Sequence, residues 1–214
     1  MISIYVLTVV STMMGCLPLI HAQFPLPNLI TFAGLIAPQP PADVVAIMED
    51  IYTNPLEYDC GVAIVYGVLF LRYINNPLGP GFSTEGIASY GTSRKVVLKM
   101  REATYFSQIL ATILPTTTFS TAARTVDIAT ALTLGNNMLN NAGRNAKKVA
   151  IVFISKVSSV DPAPIATLMK SKGTEIFVFA SSNADYNQAL SMASSSGNIF
   201  YFTNYCAANH LFKP

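Results

Sequence analysis

Apolar residues in this chain cluster in two rhythms. Short continuous runs, such as Val-Val-Ala-Ile-Met at 44–48, Val-Ala-Ile-Val-Phe-Ile at 149–154 and Ile-Phe-Val-Phe-Ala within 175–180, read as strands buried on both faces, the pattern of a parallel sheet. Between them lie stretches with helical spacing. Val62, Val65, Leu69 and Tyr73 share one face of a predicted helix over 58–74 that stops at Asn75-Asn76-Pro77. Ala129, Leu132, Asn136 and Leu139 line a second over 126–141, with Gly143 as its stop. Strands at 86–90 and 94–100, separated by Gly91-Thr-Ser, predict an antiparallel hairpin. A helix over 102–114 and a polar Thr/Ser loop over 115–121 follow.

In the last third, strands at 149–154, 175–180 and 198–202 alternate with helices at 162–172 and 184–195, a βαβ arrangement. Asp161 before Pro162 reads as a helix N-cap, and Lys170, Lys172 and Gly173 mark that helix's end. Arg144, Lys147 and Lys148 read as solvated charges at a helix end and a strand entry. Taken together, the order predicts an α/β fold: a doubly wound, mostly parallel six-stranded sheet with one antiparallel edge strand and helices on both faces.

Before strand one, residues 2–20 are almost wholly apolar and end in Ile20-His21-Ala22, a signal-peptide pattern. The absence of Lys or Arg from this stretch makes a retained anchor the competing reading. Residues 23–41 contain Pro25, Pro27, Pro38, Pro40 and Pro41 and no periodicity, and read as an extended lead-in. The organisation is then signal peptide 1–22, lead-in 23–41 and one domain 42–214, secreted, with no membrane insertion of the mature chain. A secreted chain keeps Cys60 and Cys206, and an even pair in an oxidising compartment suggests a disulfide. Charged residues are 11% of the chain, with net charge +2 and no basic cluster, which excludes a nucleic-acid-binding footprint.

This order of elements resembles the von Willebrand factor type A domain. The resemblance rests on Pro41-Ala-Asp-Val-Val-Ala-Ile-Met-Glu49 as first strand, Gly86-Ile-Ala-Ser-Tyr-Gly91 in the hairpin and Lys148-Val-Ala-Ile-Val-Phe-Ile-Ser155 as central strand. Lys172-Gly173-x-x-Ile-Phe-Val-Phe-Ala180 and Ala193-Ser-x-x-x-x-Ile-Phe-Tyr-Phe202 continue it. It implies a site at the carboxyl ends of the strands, where the family typically holds a divalent cation with an Asp-x-Ser-x-Ser segment, a loop threonine and an aspartate after the central strand. Here those positions fall on Glu49, Ile51, Thr53, Val126 (with Thr125 one place away) and Ser155. Ile51 and Val126 offer no side-chain oxygen, so the ligand set is degenerate and neither metal nor cofactor is expected. A rival register would take Asp50, Tyr52 and Asn54, and borrow Asp127 or Asp161; it requires strand one to turn over.

Catalytic sets are missing as well: there is no Gly-x-Ser-x-Gly elbow and no phosphate loop followed by Lys. No catalytic residue is therefore assigned. The resemblance implies a non-catalytic, metal-independent domain that binds an extracellular or matrix protein, through a face containing Glu49, Asp50, Thr53, Asp127 and Ser155. It also puts Cys60 and Cys206 at the same end of the fold. The alternatives are a metal-dependent adhesion domain with an altered ligand set, and a secreted α/β enzyme using Cys60, with His210 as base, or a loop serine.

Overall fold

The computed structural model describes residues 41–49, 51–52, 84–91, 95–102, 118–119, 126–181 and 184–201. Its centre is β1 (Ala42–Glu49), eight residues all buried, longer at both ends than the apolar run alone predicts. β1 pairs in parallel with β3 (Thr84–Tyr90) on one side and β6 (Lys147–Ile154) on the other. Outward from β6 come β7 (Thr174–Ala180) and β8 (Ile199–Tyr201), both parallel. Beyond β3 lies β4 (Lys95–Leu98), antiparallel, with a register shift between Ile87 and Ala88. The sheet order is thus β4-β3-β1-β6-β7-β8: six strands, one of them an antiparallel edge. A small second sheet, parallel β2 (Ile51–Tyr52) with β5 (Thr118–Phe119), forms where only a turn and a loop were expected.

The helices α1 (Ile128–Asn141), α2 (Ala163–Ser171) and α3 (Tyr186–Met192) line one face of the sheet. Strand side chains alternate between faces, so Val45, Ile47, Ala150, Val152, Ile176 and Val178 meet this layer together with Leu132, Leu139, Ala166 and Met169. Gly135 allows α1 to lie close on β1: a Cβ there would stand 2.6 Å from Ile47 Cδ1. The opposite face is equally buried. Phe153, Phe179 and Phe200 stack across it, with ring centroids 5.3 and 5.1 Å apart. The predicted helices at 58–74 and 102–114, the lead-in and the apolar amino terminus lie outside the described residues, as do Asp50, Thr53, Asn54, Cys60, Thr125, Cys206 and His210.

Local signals set most helix ends. Asp127 caps α1: Thr130 N–H donates to its Oδ1 at 2.9 Å and the Thr130 hydroxyl to its Oδ2 at 2.8 Å. Gly143 follows α1 with φ 65°, where glycine carries no steric penalty. α2 begins one residue later than predicted, with Pro162 in the cap position and Asp161 accepting from Ala163 N–H at 3.0 Å. α3 is shorter than the 184–195 stretch. It starts after the cap Asp185 and ends at Met192, because Ser194 turns to β7: its N–H donates to Ile176 O, and its hydroxyl accepts from Ile176 N–H. Lys170 then ties α2 to α3, donating to the carbonyls of Ser191 and Ala193.

Candidate functional site

β1 and β6 run side by side and end together, which brings Glu49 and Ser155 into contact at the carboxyl edge although 106 residues separate them. The Ser155 backbone N–H donates to Glu49 Oε2 at 3.0 Å and its hydroxyl donates to the same oxygen at 2.5 Å. Lys156, the next residue, places Nζ 3.7 Å from Glu49 Oε1. Burial raises the cost of an unsatisfied carboxylate, and this cluster supplies two hydrogen bonds and a counter-charge to one that is only 2% exposed. Ser155 is 5% exposed. Both therefore lie beneath the surface, turned toward each other, rather than on the open face on which a partner contact was expected.

The loop after β6 is clamped from two sides. Val126, at the expected loop-threonine position, is buried and forms a parallel bridge with Ser158. Ser159 N–H donates to Val126 O at 2.8 Å, and Ser158 Oγ accepts from Ile128 N–H at 3.0 Å. From α3, Gln188 Oε1 accepts from Ser158 N–H at 2.7 Å while its Nε2 donates to Lys156 O at 3.3 Å. Asp127 spends both carboxylate oxygens on its own helix cap. The rival register could borrow Asp127 only in competition with this cap; its other candidate, Asp161, caps α2, and Asp50 and Asn54 lie outside the described residues. Ile51 sits in β2, opposite Thr118.

What can such a site hold? A hard divalent cation needs several converging oxygens, including carboxylates, in near-octahedral geometry. Around Glu49 the described side chains instead provide one carboxylate, one hydroxyl already donating to it and one ammonium, an arrangement that does not fit such an ion. No group of three or more His, Cys, Asp or Glu side chains converges among the described residues. Among the described residues of the nearby loops and the start of α3, three large apolar side chains are exposed beside the polar Ser159, Asp161 and Asp185. Val157, 61% exposed, and Val160 stand on the loop, and Tyr186 stands on the first turn of α3. Sequence reasoning missed Lys156 and these exposed side chains, since none belongs to a periodic run or to a motif.

Comparison with known proteins gives the following. The profile of the von Willebrand factor type A domain matches residues 70–214, more than half of the chain. No curated protein sequence matches significantly. Among solved structures, proximal thread matrix protein 1 from the mussel byssus, with a zinc-occupied MIDAS motif, superposes with a TM-score of 0.68 at 15% identity, covering 82% of this chain and 48% of that one. This chain thus spans about half the length of the mussel protein. The vWF domain of the type V pili tip protein Mfa5 from Porphyromonas gingivalis gives 0.58 at 11% identity, covering 82% and 94%. Manganese-loaded TRAP protein from Plasmodium vivax gives 0.55 at 12%, covering 79% and 72%. At these identities the likeness is one of fold.

Proposed function

This chain belongs to the von Willebrand factor type A domain family, and from that premise we propose that it is a secreted, non-catalytic domain that binds an extracellular or matrix protein without a metal ion. The observation that carries the reading is the engagement of Glu49 inside the protein, Oε2 by two hydrogen bonds from Ser155 and Oε1 by the Lys156 ion pair, with exposed apolar side chains on the adjoining loop and helix. A family member whose first-strand carboxylate is spent inside the protein has its contact energy to draw from elsewhere. Tyr186 offers it as an anchor, since tyrosine is enriched among interface hot spots, and the exposed Val157 and Val160 add apolar area to bury. Asp127 borders the same edge, and Asp50 and Thr53 follow β1 in sequence.

Relatives of the fold include a thread matrix protein and a pilus tip protein, which favours an extracellular setting. A leader at 1–22 fits that setting, as does a disulfide between Cys60 and Cys206, which would stabilise the domain by roughly 5 kcal/mol in the chain-entropy model. Among the described residues no helix is long and apolar enough to cross a membrane.

The test is capture of extracellular-matrix proteins on the immobilised full chain, with and without EDTA. Capture that is unchanged by the chelator and at least about tenfold weaker for Val157→Asp or Tyr186→Ala is expected, the loss typical of an interface anchor. Capture abolished by EDTA would overturn the metal-independent reading, and capture indifferent to both substitutions would move the contact surface elsewhere.

A further inference from the structure

The charge balance at the end of β1 goes further than a count of absent ligands. Glu49 is a buried carboxylate, and a buried ionic group persists only when it is paired and hydrogen-bonded. Its two oxygens are served by consecutive residues: Oε2 by the amide and hydroxyl of Ser155, Oε1 by the ammonium of Lys156. That ammonium is itself closed off from solvent and has no hydrogen-bond acceptor among the described residues, so the 3.7 Å ion pair is its principal polar contact there. Lysine is seldom buried without such a partner. Nor is its position accidental in the backbone, because the carbonyl of Ser155 accepts from the Ser181 hydroxyl and that of Lys156 from Gln188, which fixes the point from which the side chain starts.

We propose that the Lys156 ammonium is the resident cation of this domain, standing beside Glu49 where the family resemblance places a divalent ion, and that the Ser155–Lys156 pair excludes such ions. This deepens the metal-independent half of the proposed function and rests on it. Two physical terms act in the same direction. Serine after the central strand supplies no negative charge, so among the described residues of this cluster Glu49 alone would have to balance a dication, whereas it neutralises one ammonium completely. A dication close to Glu49 would also lie within a few ångströms of a fixed positive charge in a site with little water to screen the repulsion.

The experiment is electron paramagnetic resonance of Mn²⁺ titrated into the full chain, reading loss of the free-ion signal, for wild type, Ser155→Asp, Lys156→Met and the double variant S155D/K156M. Wild type and S155D are expected to leave Mn²⁺ free, whereas S155D/K156M, with a second carboxylate and no ammonium, binds it at least about tenfold more tightly than S155D. Equal binding by S155D and the double variant, or none by a folded double variant, would overturn the role of Lys156 while leaving metal independence standing. Stoichiometric binding by wild type would overturn both. Should the double variant not fold, thermal midpoints of E49Q, K156M and E49Q/K156M decide: a combined loss clearly smaller than the sum supports the pair, and a strictly additive one overturns it.

Discussion

Glu85 carries the least favourable charge among the described residues. It lies in β3 pointing away from the helix layer, since its neighbour Gly86 faces Met138 of α1. The side chain is buried and neither carboxylate oxygen has a hydrogen-bond partner among the described residues. Desolvation therefore pushes its pKa well above the usual carboxylate range, and the folded protein holds the proton more tightly than the unfolded chain does. The stability this proton supplies is fully present below the unfolded value of about 4.3 and is lost as pH rises through the raised folded value. Urea unfolding measured at steps between pH 5 and pH 8 is expected to show that loss, and Glu85→Gln to flatten it. Identical pH slopes for wild type and variant would mean that Glu85 meets a charge that keeps it ionised. Ser89, on the same face of β3 and also buried without a partner, marks this as a polar seam in an apolar layer.

Elements, by contrast, are held to each other at the amino end of the sheet by one buried ion pair. Asp43, at the start of β1, accepts from the Thr84 hydroxyl at 2.6 Å and from the Arg144 guanidinium at 2.7 Å, so a single carboxylate joins β1, β3 and the segment between α1 and β6. Arg144→Met would leave that carboxylate buried without its cation and is expected to cost about 3–5 kcal/mol in chemical denaturation. A change below roughly 1 kcal/mol would show Asp43 to be satisfied without Arg144.

Arg144 also marks the limit of what the sequence discloses. Beside a helix end it reads as a solvated charge, because its partner lies 101 residues upstream and no periodicity signals so distant a pairing. The same holds for β2 with β5, two residues each, and for Lys156 facing Glu49. Elements fixed by local chemistry were legible: the apolar runs of β1, β6 and β7, the buried stripe of α1, and the glycine stops at 143 and 173. The antiparallel edge was legible too, from a short glycine-containing connection. Of the candidate site, the resemblance located Glu49 and Ser155 but not their burial, which depends on how β1 and β6 end together.

At the scale of the whole molecule, the family's sheet brings its strand ends to one edge, and here a buried carboxylate at that edge is paired with an ammonium while apolar side chains stand exposed on the loops beside it. Glu49, Ser155 and Lys156 pair with one another beneath the surface, while Val157, Val160 and Tyr186 are exposed and are the contacts that the proposed function assigns to a partner. Under the proposed function such a domain binds through shape and apolar contact, and removal of divalent ions is expected to leave binding unaffected. Isothermal titration of the full chain with Mg²⁺, Ca²⁺ and Mn²⁺ tests that claim most directly. The account predicts no saturable heat with any of the three at millimolar concentration; a stoichiometric isotherm with any one of them, lost in Glu49→Ala, would contradict it.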